Sequence, residues 1–272
     1  MKTKAAYILL IMILPICNLQ SQEVQPRYSY RIIYKFKYQQ DSTNKNSLKS
    51  EQMLLLANKD NSYFISWNQY TFDSLSFVSN EKTGDRFTGI SHPLQYSTGL
   101  DFKILKTKDS IQFWKPFGGR RMLMYSELRN NLKWSIERDT QMIAGILCQR
   151  AVTEYAGRSW TAWFAASIPL PDGPYKFCDL PGLIVKISDK QNYFNFILES
   201  FEHIQIIPLT LVTNMPIQIM KRSEFIKYSE YYRNNRYEID QAEGTTFTSG
   251  GEFIRRRLQE LAKTQNNQIE RY

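Results

Sequence analysis

The residues best placed to do chemistry are three carboxylates, Asp172, Asp179 and Asp189, gathered on and around the stretch GPYKFCDLPGLIVKISD at residues 173–189. Paired carboxylates perform general acid–base work when burial separates their pKa values. With backbone carbonyls they also hold Ca²⁺. A plainer use competes with both: Asp172 precedes Gly173 and Asp189 heads a turn, positions where Asp bonds to local backbone. Other catalytic groups are sparse. His92 and His203 lie far apart, outside any metal-ligand spacing. There is no G-x-S-x-G elbow, and the glycines are too scattered for a phosphate-cradling loop. No catalytic residue, metal or cofactor is assigned on this reading.

Binding is the better-motivated chemistry. Trp160 and Trp163 stand three apart in one predicted strand and so point to opposite faces. One belongs in the core, leaving the other as a platform for a sugar ring or a lipid. Arg158 shares a face with Trp160 and is placed to pair with a carboxylate of the corner. Pro181-Gly182 fits a type II turn, with Pro presetting φ and Gly accepting a positive φ. The candidates for ligand or partner contact are therefore Arg158, Trp160, Trp163, Asp172, Tyr175, Asp179, Pro181 and Gly182.

Strands must position these groups. Tyr28, Tyr30, Ile32, Tyr34, Phe36 and Tyr38 alternate with polar residues, which predicts a long antiparallel strand over Pro26–Tyr38 with one wet face. Met53–Ala57 and Tyr63–Trp67 flank a hairpin turn at Asn58–Asn61. Residues 70–90 are ambiguous between a short helix and an irregular insert. Further strands are expected at Phe102–Lys106, Ile111–Lys115, Arg121–Tyr125, Leu132–Glu137, Cys148–Tyr155, Arg158–Ala166, Leu183–Ser188 and Tyr193–Phe201. The pair around Ala156-Gly157 forms a tight hairpin. From about residue 221 the pattern becomes helical, with a helix capped by Ser223 and another over Arg255–Thr264. The polar tail Gln265–Tyr272 is expected to be loose until it docks. The fold class is mainly β (a β-rich α+β fold): a large curved antiparallel sheet or partly open barrel with C-terminal helices.

The N-terminus reads as a secretory leader. Lys2 and Lys4 precede the apolar run Ala5–Ile16, which is too short to span a bilayer, and cleavage is expected near Ser21. Lipidation at Cys17 is the weaker alternative, because Ile16 is not the small residue that such processing wants. One domain over 22–272 follows the leader, 251 residues in all. Loss of the two leader lysines lowers the formal charge from +9 to +7, spread thinly along the chain. That argues against a nucleic-acid partner and is compatible with an anionic lipid or glycan. Cys148 and Cys178 remain, and in an oxidising compartment an even pair predicts a disulfide. Closing a loop of about 30 residues, it would be worth roughly 3–4 kcal/mol.

Four pieces in order, C-x-x-A at Cys148–Ala151, G-R-x-W-x-A-W-F at Gly157–Phe164, I-P at Ile168-Pro169 and D-G-P-Y-K-F-x-x-L-P-G-L-I at Asp172–Ile184, resemble the GLPGLI (Porph_ging) family. These are exported Bacteroidetes proteins of unknown function. The match is densest over about 40 residues, and the ending N-x-x-I-E at Asn266–Glu270 agrees more loosely. Where the family signature opens with Gly this chain has Asp179, which would bear a cost if that position needs a positive φ. The resemblance implies a bacterial envelope location, periplasmic, outer-membrane-associated or secreted, and supplies no catalytic residues. The expected function is a non-enzymatic module binding an envelope protein, lipid or glycan, with peripheral membrane association as one form of it. The alternative is an envelope hydrolase using the corner carboxylates.

Overall fold

The computed structural model describes residues 27–83, 94–204, 215–247 and 250–270. The expected leader, Cys17, His92 and residues 84–90 lie outside them. The predicted first strand forms β1 (Tyr30–Gln39), with Ile32, Tyr34, Phe36 and Tyr38 turned into the core. β2 (Leu48–Ala57) and β3 (Ser62–Ser66) follow as a hairpin. Its turn is closed by the Asn58 amide donating to Asn61 O at 2.9 Å, while Asn58 Oδ1 accepts from the Asp60 and Asn61 amides. β4 (Lys103–Lys106), β5 (Ser110–Phe117) and β6 (Arg121–Leu128) continue this meander.

A second meander comprises β7 (Ser135–Ile143), β8 (Ile146–Tyr155), β9 (Arg158–Ala165), β10 (Leu183–Asp189) and β11 (Phe194–His203). β11 returns to lie against β1, opposite β2, and joins the two meanders into one open sheet of twelve strands. Phe36 and Phe196 meet across that seam as a cross-strand pair with ring centroids 3.9 Å apart, a stacking contact of the kind worth about 0.5–1.5 kcal/mol beyond its buried area. β7 begins later than expected and runs further, because Ala144 and Gly145 both take positive φ (50° and 76°) and close a two-residue hairpin like Ala156-Gly157.

The expected large β-rich sheet is found, open and antiparallel except at one edge, where β12 (Ile217–Ile219) adds to β6 in parallel. One expectation needs correction here. The disulfide is absent: Cys148 and Cys178 are separate buried thiols. Each sulfur has its own oxygen neighbour at 3.4 Å, Ile146 O for Cys148 and Asp179 Oδ2 for Cys178. Both side chains serve as small apolar fillers of a common core.

The sheet's inner face is lined by aromatic and branched side chains and covered by two things. One is the corner, residues 166–182, which supplies Leu170, Tyr175, Phe177, Cys178 and Leu180 to the core. The other is α2 (Arg222–Asn234), whose Phe225 packs on Phe113, Phe117 and Tyr125. This helix starts one residue before the expected cap, with Glu224 accepting the Lys221 amide. On the outer face α1 (Trp67–Thr83), the helix left ambiguous by sequence, sets Trp67 and Tyr70 against Leu54, Leu56, Tyr63 and Ile65. α3 (Arg236–Ala242) and α4 (Gly251–Thr264) complete the helical end.

Candidate functional site

The corner is held by three ionic clusters on the inner side of the sheet. The first is at Asp172. Its carboxylate accepts the Gly173 amide at 2.7 Å, as the turn reading expects, and also pairs with the Lys106 ammonium. Lys106 enters the core because β4 alternates, sending Ile104 and Lys106 to the same face. Its ammonium also donates to Gly173 O at 2.7 Å, and neither side chain is more than 4 % exposed.

The second cluster is at Arg158, at the head of β9. Nη1 donates to Asp189 Oδ2 at 2.9 Å, and Asp189 Oδ1 accepts the Phe194 amide. The expected pairing of Arg158 with a corner carboxylate therefore holds, with Asp189 as that carboxylate. The other two nitrogens face the C-terminal tail. Nη2 donates to Asn267 Oδ1 at 2.7 Å and Gln268 O at 2.6 Å, and Nε donates to Ile269 O at 3.1 Å. The Phe194 ring lies beneath the guanidinium at 4.6 Å.

The third cluster is the most heavily charged. Lys176 Nζ sits 2.5 Å from Glu270 Oε1 and 2.7 Å from Glu127 Oε1, and it donates to the Tyr125 hydroxyl at 2.5 Å. Arg222, the first residue of α2, reaches Glu270 Oε2 at 3.1 Å. Tyr175 donates to Glu270 at 2.7 Å, and Tyr155 donates to Glu127 at 2.9 Å. Burial works to raise the Glu270 carboxyl. The Lys176 ammonium, with Arg222 and the Tyr175 hydroxyl, outweighs it and holds the group below the ordinary carboxylate range. Burial likewise opposes the Lys176 charge, yet Glu270 and Glu127 push its pKa above the ordinary lysine value.

The remaining candidates sit where backbone geometry needs them. Asp179 takes φ 69°, the left-handed conformation, and pairs with Arg129 at 2.8 Å. Tyr175 is left-handed too, at φ 56°. Gly182, at φ 153°, is required by close approach, since a Cβ there would stand 2.1 Å from Ala165 O. Pro181 precedes it in the same turn, and the Gly182 amide donates to Leu180 O. Trp160 is core and packs on Phe177. Trp163 faces the other way, between Arg150 and Lys186 on the outer face, away from the rest of the set. The buried thiols are unreactive in character: burial pushes Cys178 up to about 12 and raises Cys148.

The structure thus brings Arg158, Asp172, Tyr175, Asp179, Pro181 and Gly182 to one corner and sends Trp163 elsewhere. Sequence reasoning missed Lys106, Glu127, Lys176, Arg222 and Glu270. A legible signal existed for two of them: Lys106 falls on the apolar phase of its strand, and Lys176 stands between Tyr175 and Phe177 in an otherwise apolar turn. Outside the corner, a shallow depression of about 840 Å³ lies over β8, β9 and β10, and its lining includes Lys133, Arg150, Ser159, Thr161, Ser188 and Lys190.

No protein-family model and no curated protein matches the chain. Two solved structures of PNGF-II, in P21 and C2 crystal forms, share its fold with TM-scores of 0.53 and 0.51 at 11 % and 12 % identity. Each match covers 74 % of this chain and 32 % of the other, so the chain spans about a third of the length of the proteins it resembles in structure.

Proposed function

We propose that this is an exported cell-envelope protein of the GLPGLI type that binds an envelope partner without processing it, through the outer face of its sheet. One observation carries the reading. The inner face is filled by the corner and α2, and the carboxylates that might have done acid–base work are paired with Lys106, Arg129 and Arg158. A ligand-holding barrel needs an open interior, so docking passes to the outer surface. There the depression over β8–β10 offers hydroxyls beside the exposed Lys133 and Lys190, while Arg150 is paired with Glu137 and Asp139 and Glu154 also lines it, which suits a glycan or lipid headgroup held by the two lysines.

Thermal unfolding of the purified chain from residue 22 with fractionated envelope glycans and lipids tests this. A bound partner at about 100 times its Kd adds roughly 2.7 kcal/mol, which for a domain of this size raises Tm by several degrees. Lys133→Glu with Lys190→Glu should abolish that rise and leave the ligand-free Tm within about 0.5 kcal/mol of the original, as for other exposed substitutions. A rise that survives the double substitution would relocate the site.

A further inference from the structure

The last described residues of the chain are held in the manner of a bound peptide. The Asn267 amide donates to Gln40 O at 3.0 Å and its side-chain nitrogen to Gln39 O at 2.8 Å. Arg158 grips the carbonyls of Gln268 and Ile269, which recognises a main chain, and Asn267 Oδ1, which recognises a side chain. Glu270 then enters the pocket of Lys176, Arg222 and Tyr175. By contrast α4, which leads into this tail, has no buried residue and contacts only α2 and α3 to any extent. It is preceded by Gly250, left-handed at φ 71°, and opens on Gly251. The segment is therefore fastened at its far end by buried ionic groups and laid over the surface before that.

The charge arithmetic points the same way. With Glu270 in place two cations, Lys176 and Arg222, meet two carboxylates, Glu127 and Glu270. With the tail lifted, two cations face Glu127 alone, inside a ring of Tyr125, Tyr155 and Tyr175. An emptied pocket of that composition requires an anion, because a buried unpaired charge is far costlier than a paired one.

We propose that the corner and the end of β1 form a receptor for acidic peptide segments carrying asparagine and glutamate three residues apart, and that the chain's own Asn267–Glu270 is a detachable occupant of it. Arg158 reads the peptide backbone, Gln39 and Gln40 read the asparagine, and the Lys176–Arg222 pair reads the glutamate. The receptor lies at the inner corner and does not depend on the outer face binding anything. In the intact protein the tethered tail competes at an effective concentration in the millimolar range, as short flexible links give, so an added peptide succeeds only when the tail is weakened.

The test uses the full chain from residue 22 carrying Asn267→Ala and Glu270→Ala, with a fluorescent peptide of residues 265–272 followed by anisotropy. Saturable binding is expected, at least about tenfold tighter than to the unsubstituted protein given the tail's competition. The same peptide carrying Glu270→Gln should bind at least about tenfold more weakly, as loss of a buried charge partner requires. Absence of saturable binding by a variant with a native circular dichroism spectrum overturns the proposal, as does equal binding of the Gln peptide. Should the variant not fold, hydrogen exchange on the unsubstituted protein decides. The Asn267 amide, which donates to Gln40 O, must then exchange by local opening, faster than the amides of β11. Exchange of the tail only through global unfolding overturns the proposal.

Discussion

The Lys176 ammonium lies 2.5 Å from the Glu270 carboxylate, linking the middle of the corner to the end of the chain in a site almost closed to water. Neither residue belongs to a strand or helix. Their pairing ties a turn of the second meander to the tail that follows the helical segment.

Breaking that link from one side should be severe. Lys176→Met leaves Glu270 and Glu127 facing Arg222 alone, and removing one partner of a buried pair costs about 3–5 kcal/mol. Lys176→Met combined with Glu270→Leu leaves the Arg222–Glu127 pair balanced and should recover at least half of that loss. Urea unfolding of the two single variants and the double variant gives the coupling energy directly. Additive losses would mean the two residues act independently.

Acid should be felt through the same cluster. The folded Glu270 pKa is depressed, so its contribution is complete above the unfolded value of about 4.3 and is lost as pH falls through the folded pKa. Lys176 is raised, so its contribution is complete below about 10.4 and fades only as pH climbs through the folded value. The groups facing the pair are Glu127, Arg222, Tyr125, Tyr155 and Tyr175, and burial raises all three tyrosines, which adds to the alkaline loss. Tm should therefore be level between about pH 5 and 9 and fall on both sides. Glu270→Gln should flatten the acid limb specifically, and an unchanged acid limb would assign it to other carboxylates.

The thiols give a simple chemical check. Cys148 and Cys178 are buried and raised in pKa, so neither should react with a disulfide reagent in the native protein, and both should react at once in denaturant. Reductant should leave Tm unchanged. A cross-linked Cys148–Cys178 peptide in a non-reducing digest would overturn the assignment.

Much of the fold was legible, and the reasons are local. The alternation from Tyr30 to Tyr38, the Asn58–Asn61 turn and the Ala156-Gly157 hairpin each declare themselves within ten residues. The turn role of Asp172 and Asp189 was readable for the same reason, and so was the split of Trp160 and Trp163 to opposite faces, but not which of the two turns inward. What escaped depends on distance along the chain. The three exposed residues of β12, Ile-Gln-Ile, are too short a run to declare a strand, and only β6 makes them one. Glu270 and Arg222 look like solvated charges until the fold brings Lys176 between them. The disulfide failed because residue count and compartment say nothing of where two sulfurs point.

Asn267 completes what Gln40 begins. The strand nearest the start of the described chain finds one neighbour in β2 and the other in β11, and the tail is then tied to its end. A variant lacking Asn267–Glu270 would keep every described strand and yet lose the clasp that ties the tail to β1. Damage at those residues would therefore be registered at a strand 228 residues earlier in the sequence.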